Sequence, residues 1–271
     1  MQSQQEHTMP SSVILTLDSR GIATVMINRP DKHNALDPEI FAGLHDSFAQ
    51  LESNKEVRAV VLTGAGKSFC AGADLAHMQK MSDASEAENF SDAMVVSRCM
   101  RTLDECSKPV IARINGNAFG GGVGLISCCD IAIASSTAKY TLSEVRLGVA
   151  AAVISPYILT AIGPRQARRL MLTAKTFDAA EALEIGLLHE YVDEQELDKA
   201  VDQQVDMILQ GSSLAQQASK KLLREIGYLT PEDRDLIAAR TAKTLARLRK
   251  SPDGREGLQA FFNKRKPNWC P

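Results

Sequence analysis

The sequence predicts an α/β fold, with strand and helix units filling roughly the first 190 residues and a helical tail closing the chain. Short β-rich runs recur at Val13–Leu17, Ile22–Ile27, Ala59–Thr63, Val110–Ile114 and Ile131–Ala134. Segments with apolar residues at helical spacing lie between them, and from Glu194 onward only helical patterns remain. The 271 residues are enough to bury a substantial core. The expected organisation is a core domain over residues 1–195 that carries the site, and a C-terminal helical oligomerisation region over 196–271.

Asp18-Ser19-Arg20-Gly21 separates the first two runs, which therefore read as a hairpin. The polar turn Asn28–Asn34 contains Pro30. Asp37 then caps a helix that Pro38 opens, with Ile40, Leu44, Phe48 and Leu51 on one face. Gly64–Gly72 reads as a glycine-bearing loop followed by a helical stretch, and Ser82–Asn89 as a polar, mobile segment. Ala93–Cys106 predicts a helix ended before Pro109. After the strand Val110–Ile114, a glycine-rich loop feeds a helix from about Gly121 to Cys129. Leu147–Gly163 is the most apolar stretch; it is short for a membrane span and reads as core. Asp178 and Glu181 form a capping-box pair for a helix that stops at Gly186. Glu194–Gln210, Ser213–Ile226, Pro231–Leu248 and Glu256–Lys264 supply the tail.

Composition removes several function classes. A formal net charge of −2, from 31 basic and 33 acidic residues, gives no basic excess for nucleic acid or an anionic membrane. Aromatics at 5% leave little for base stacking. The six cysteines contain no CxxC pair and read as small buried residues in a reducing compartment. The polar start MQSQQEHTMPSS lacks an apolar signal core, so a cytoplasmic location is expected. Gly64-Ala65-Gly66-Lys67-Ser68 is not a phosphate loop, because the glycine required five positions before Gly66 is Val61. No G-x-G-x-x-G or G-x-S-x-G occurs, and the five histidines have no zinc-like spacing; no metal is expected.

What remains is glycine chemistry. Gly120-Gly121-Gly122 opens a helix, and a second glycine-bearing segment, SFCAGADL, covers Ser68–Leu75. Residues without side chains let a ligand approach the backbone, and a helix start leaves N–H groups unpaired. Two such segments can aim two backbone donors at one oxygen, an arrangement that suits negative charge developing on a carbonyl.

Ser68–Leu75 and Asn115–Asp130 resemble the enoyl-CoA hydratase/isomerase (crotonase) superfamily. So do NRPDKHNAL at Asn28–Leu36, LSEVRLG at Leu142–Gly148, Ala182–Leu187 and EGLQAFFNKRKPNW at Glu256–Trp269. The resemblance implies a right-handed spiral of ββα units with a C-terminal helical trimerisation region. It implies acyl-CoA thioester substrates and assembly as a homotrimer or dimer of trimers. It makes the amides of Ala73 and Gly121 the oxyanion hole. It implies CoA contacts from Lys32, His33, Ala71, Gly72, Asp74 and Leu75, with Phe261 and Lys264 reaching a neighbour's nucleotide end. Coenzyme A enters as part of the substrate, and no further cofactor is expected.

Of two superfamily positions able to carry glutamate, one is Gly124 here and the other is Glu144. Glu144 is thus the implied single acid/base; on the residues alone, a loop carboxylate paired with Arg146 is the other reading. FGGGVGLISCCDIAIA and the C-terminal segment are most similar to bacterial methylglutaconyl-CoA hydratases of leucine breakdown, and to relatives acting on isohexenylglutaconyl-CoA. Gly124, Arg146, Val153 and Tyr157 are then candidates for the acyl pocket, Arg146 as partner of a distal carboxylate. A Δ3–Δ2 enoyl-CoA isomerase and a non-catalytic acyl-CoA-binding or assembly protein are the alternatives.

Overall fold

Strand β1 (Val13–Leu17) pairs antiparallel with β2 (Ile22–Ile27), and Gly21 at φ +82° makes the turn between them. The structure is a computed structural model that describes residues 11–227 and 231–267. Helix α1 (Pro38–Ser53) starts as expected: the Asp37 side chain accepts from Ile40 N, and Ile40, Leu44, Phe48 and Leu51 are buried together with Phe41. The chain continues through β3 (Ala59–Gly64), β4 (Ser68–Cys70), α2 (Leu75–Asp83), α3 (Glu86–Glu105), β5 (Val110–Ile114), β6 (Asn117–Phe119) and α4 (Gly121–Ser127). Next come β7 (Ile131–Ser135), β8 (Lys139–Thr141), a 3-10 turn over Glu144–Leu147 and α5 (Ser155–Thr173). The remainder is β9 (Phe177–Asp178), α6 (Ala179–Glu184), β10 (Glu190–Val192), α7 (Leu197–Leu209), α8 (Ser213–Gly227), α9 (Pro231–Lys250) and α10 (Pro252–Phe262).

Successive strand pairs divide between two sheets. The larger has the order β1-β2-β3-β5-β7-β10 and is parallel beyond the first hairpin; the smaller has the order β4-β6-β8-β9. Each of the pairs β3/β4, β5/β6 and β7/β8 gives its first strand to the large sheet and its second to the small one. Side-chain alternation explains why the large sheet is buried on both faces. Ile22, Ala59, Val61, Ile111 and Ile133 point to one side, where Leu197, Ala200, Val201, Val205 and Ile208 of α7 cover them. Ala23, Val25, Val60, Leu62, Val110 and Ala112 point to the other, into the main core with α1 and α3.

Several expectations are corrected. Ser82–Asn89 is ordered: α3 begins at Glu86, seven residues before Ala93, under a reciprocal capping box between Ser85 and Glu88. Asn89 is fully buried and donates to Met81 O and Ser85 O. The loop Gly64–Gly72 contains β4, and the glycine-rich loop contains β6. The Asp178–Glu181 capping box is half formed: Glu181 N donates to Asp178 Oδ1, but the Glu181 carboxylate pairs with Lys175 and Arg169 instead. Cys70, Cys99, Cys106 and Cys128 are buried, Cys129 is half-buried, and Cys270 lies outside the described residues. Among the described residues, no helix is long and apolar enough to cross a membrane.

Candidate active site

The small sheet brings the two glycine segments together. β4 and β6 are parallel, with Ser68 opposite Asn117 and Cys70 opposite Ala118, so the chain leaves both strands side by side. A Cβ on Gly72, at φ +87°, would lie 2.9 Å from Phe119 O, and one on Gly122 would lie 2.6 Å from Cys70 O. Only glycine permits this approach. Ala73 and Gly121 are the residues adjoining these contacts. Leu36 N donates to Gly72 O (2.7 Å) and Asp74 N to Leu36 O (2.8 Å), which pins the backbone on both sides of Ala73. Among the described residues the N–H of Ala73 itself has no acceptor, and neither has that of Gly121 in the first turn of α4. Ala73 is exposed and Gly121 half-buried, so both donors are open to a ligand.

Glu144 completes the group. Gly120 N donates to Thr141 O (2.9 Å), joining the end of β6 to the end of β8 just before the 3-10 turn. Glu144 Oε1 then sits 2.9 Å from where a Cβ on Gly120 would be. Its Oε2 is buried without a hydrogen-bond partner. Burial pushes this carboxyl up to about 7, opposed only by a hydrogen bond from its own backbone N–H. Arg146 is exposed and makes no ion pair with Glu144. The structure therefore presents a half-buried glutamate with one buried, unpartnered carboxyl oxygen rather than a surface salt bridge.

A residue not singled out from the sequence holds this arrangement. Arg29 donates to Asp37 Oδ2 (2.7 Å) and Asp74 Oδ2 (3.1 Å), the N-cap carboxylates of α1 and α2. Asp74 directly follows Ala73, so the guanidinium anchors one donor loop to the start of α1. Hydrogen bonds from His77 N and the Arg29 charge outweigh the burial of Asp74 and hold its carboxyl below the ordinary value. The sequence carries only the arginine within NRPDKHNAL and the N-cap Asp37; the pairing with Asp74 is tertiary.

The space beside Gly124 is filled by another side chain. A Cβ there would overlap Ile154 Cγ2, with Ile154 Cβ at 2.9 Å and Met100 Cε at 3.5 Å. Gly124→Ala is therefore expected to cost about 1–3 kcal/mol of stability by overpacking. The loss should shrink when measured on an Ile154→Ala background, by denaturant unfolding. Equal losses in both backgrounds would contradict this packing account. Val153 is buried in a small cluster with Ala93 of α3 and Ala242 of α9, and Tyr157 packs half-buried against the main core.

The residues expected to meet CoA are divided between the turn after β2, the segment after β4 and the α10 region. Lys32 and His33 are exposed at the 3-10 turn Pro30–Lys32, where His33 caps in the left-handed region and accepts from Ala71 N at 3.0 Å. His33 Nδ1 is 3.1 Å from Ser68 Oγ. Leu75 is exposed, while the Asp74 side chain is taken up by Arg29 and the α2 cap. Phe261 is 45% exposed on α10, packed edge-on against Phe262, and exposed Lys264 follows the helix end. Among the described residues no three His, Cys, Asp or Glu side chains form a metal-binding group.

The profile of the family described as enoyl-CoA hydratase/isomerase matches residues 18–270. The chain belongs to this family. The crotonyl-CoA hydratase of Syntrophomonas wolfei is 36% identical over 260 residues, spanning 95% of this chain and 97% of that protein. An (E)-benzylidenesuccinyl-CoA hydratase of Thauera aromatica is 33% identical over 251 residues, spanning 92% and 95%. A solved enoyl-CoA hydratase from Mycobacterium avium superposes with a TM-score of 0.85 at 36% identity, covering 97% of this chain and 100% of that one. The α/β architecture of this chain, with its parallel sheet and C-terminal helices, is that of these enoyl-CoA hydratase/isomerase structures.

Proposed function

We propose that the chain is an enoyl-CoA hydratase working with one carboxyl group, Glu144, and two main-chain donors, Ala73 and Gly121. The observation that carries this reading is the Glu144 carboxyl group, with Oε1 against Gly120 and Oε2 buried without a partner; Gly120 is next in the chain to Gly121, whose first-turn N–H has no acceptor. Relatives named as hydratases over nearly the full length support it. The thioester oxygen accepts from both amides. Glu144, as carboxylate, takes a proton from a water whose oxygen bonds to the β-carbon. The electron pair of the C=C bond moves through to the thioester oxygen, and the two N–H groups stabilise the enolate. Glu144, now the acid, returns the proton to the α-carbon as the carbonyl re-forms. Hydroxyl and hydrogen add to one face, and the carboxylate is regenerated. CoA comes and goes as part of the substrate.

The substrate we assign is a 3-methylglutaconyl-type thioester or its isohexenyl relative. To Arg146, exposed on the turn that carries Glu144, we assign the grip on a distal carboxylate, which arginine can make with two donors. The relative named for a benzylidenesuccinyl thioester, whose succinyl unit bears a second carboxyl, supports this choice. Lys32 and His33 are assigned to the nucleotide, and assembly as a trimer or dimer of trimers goes with the reading. Leu214, Leu222 and Leu223, 78%, 53% and 65% exposed on α8, are apolar surface consistent with burial between subunits. The test is a panel of methylglutaconyl-, isohexenylglutaconyl-, crotonyl- and 3-hexenoyl-CoA, scored for water addition and double-bond migration. Highest kcat/KM for hydration of a glutaconyl thioester is expected. Turnover confined to double-bond migration would overturn the hydratase assignment, and binding without turnover would make the chain a carrier or assembly protein.

A further inference from the structure

The C-terminal helix α10 sits directly on the backbone of the Glu144 turn. A Cβ on Gly257 would overlap the carbonyl carbon and oxygen of Leu147 and lie 2.9 Å from Gly148 N. These are the last residue of the 3-10 turn and its left-handed cap, and Gly148 N and Val149 N donate to Val145 O and Glu144 O. The helix is not free to back away. Ser251 caps it by accepting from Gly254 N, and a Cβ on Gly254 would overlap Leu248 O, so the corner between α9 and α10 is tight. Just before that corner Arg249 donates to Asp92 Oδ2 (2.9 Å) and Asn89 Oδ1 (3.3 Å) of α3, and Asp92 Oδ1 is 2.7 Å from His77 Nε2 of α2. α10 is thus held at a fixed height above the turn.

Resting on the role proposed for Glu144, we infer that Gly257 is a positioning residue for that carboxyl group. By carrying no side chain it lets α10 press on Leu147–Gly148 and so hold Glu144 against Gly120 and out of water. A methyl group at this position pushes the turn away from its place, because the atoms it meets are main-chain atoms that no rotamer change can move. The helix itself tolerates alanine better than glycine, so the cost falls on the contact.

The test is Gly257→Ala in the full-length protein, beside Glu144→Gln and the exposed-face control Gln259→Ala. Gly257→Ala is expected to lower kcat about 10–100-fold, the effect of a misplaced catalytic group, with KM within about threefold. The limb on which kcat/KM rises with pH, which reports the free enzyme, should also move down from about 7 toward the ordinary 4.5, because water reaches the carboxyl. Gln259→Ala should match the wild type. Should Gly257→Ala fail to fold, Leu258→Ala, which loosens the same helix at a buried position without adding an atom, is expected to show the same split. Wild-type kcat and pH limb in the folded variant, with Glu144→Gln inactive, overturn the positioning role and leave the function standing. Full activity in Glu144→Gln removes the carboxyl group's role, and this inference with it.

Discussion

Glu144→Gln is expected to lower kcat by about 10³–10⁴-fold if, as proposed, one group serves as base toward water and acid toward the α-carbon. Affinity for a saturated acyl-CoA should stay within a few-fold, since the amide keeps the shape of the side chain and leaves Ala73 and Gly121 untouched. Stability should move the opposite way. The carboxyl is raised by burial from 4.5 to about 7 in the folded chain. A raised folded-state value makes the protonated form's contribution complete below about 4.5 and lost as the pH climbs through about 7. The glutamine variant should therefore match the wild type near pH 4 and exceed it above pH 7, by roughly 3 kcal/mol. Thermal melts of both proteins across this range measure it. A variant that is inactive and no more stable at pH 8 would separate catalysis from burial, and the desolvation of Glu144 would lose its support.

Gly121→Pro is the second large effect. It removes one N–H and little else, because Gly121 is the first residue of α4 and proline is favoured at that position. The added ring meets the Leu36 Cδ1 methyl group, 2.9 Å from the Cβ position, and a leucine terminus can rotate aside. Loss of a single oxyanion donor is expected to cost about 10²–10³-fold in kcat. Gly121→Ala keeps the N–H and meets the same methyl group, so it should retain most activity. Equal losses in the two variants would assign the effect to crowding at Leu36 rather than to the missing donor.

The parts of this protein that were legible in its sequence are those with local causes. Asp37-Pro38 marks a helix start whether or not anything packs on it, and the runs in β2, β3 and β5 need their apolar residues wherever the sheet lies. Gly72 and Gly122 could be picked out because a backbone that must approach another backbone leaves a glycine behind. The strands β4, β6, β8 and β9 are two or three residues long, too short to show a period of two, and exist only through partners in the second sheet. Ser85 and Glu88 did carry a readable capping signature, and it was the polar composition of Ser82–Asn89 that obscured the helix start. The unpaired state of Glu144, the filling of the Gly124 space by Ile154 and the contact of Gly257 with Leu147 are tertiary facts. They join residues 30 to 110 positions apart, and no local pattern announces them.

The proposed chemistry needs Ala73 N–H and Gly121 N–H to share one thioester oxygen, with Glu144 beside the adjacent carbon. A crystal structure of the protein with a saturated acyl-CoA tests it most directly. The thioester oxygen is expected at about 2.7–3.1 Å from both nitrogens, with a Glu144 carboxyl oxygen about 3–3.5 Å from the α-carbon. A thioester oxygen bonded to one amide or neither, or a Glu144 side chain turned out into solvent in the complex, would contradict it.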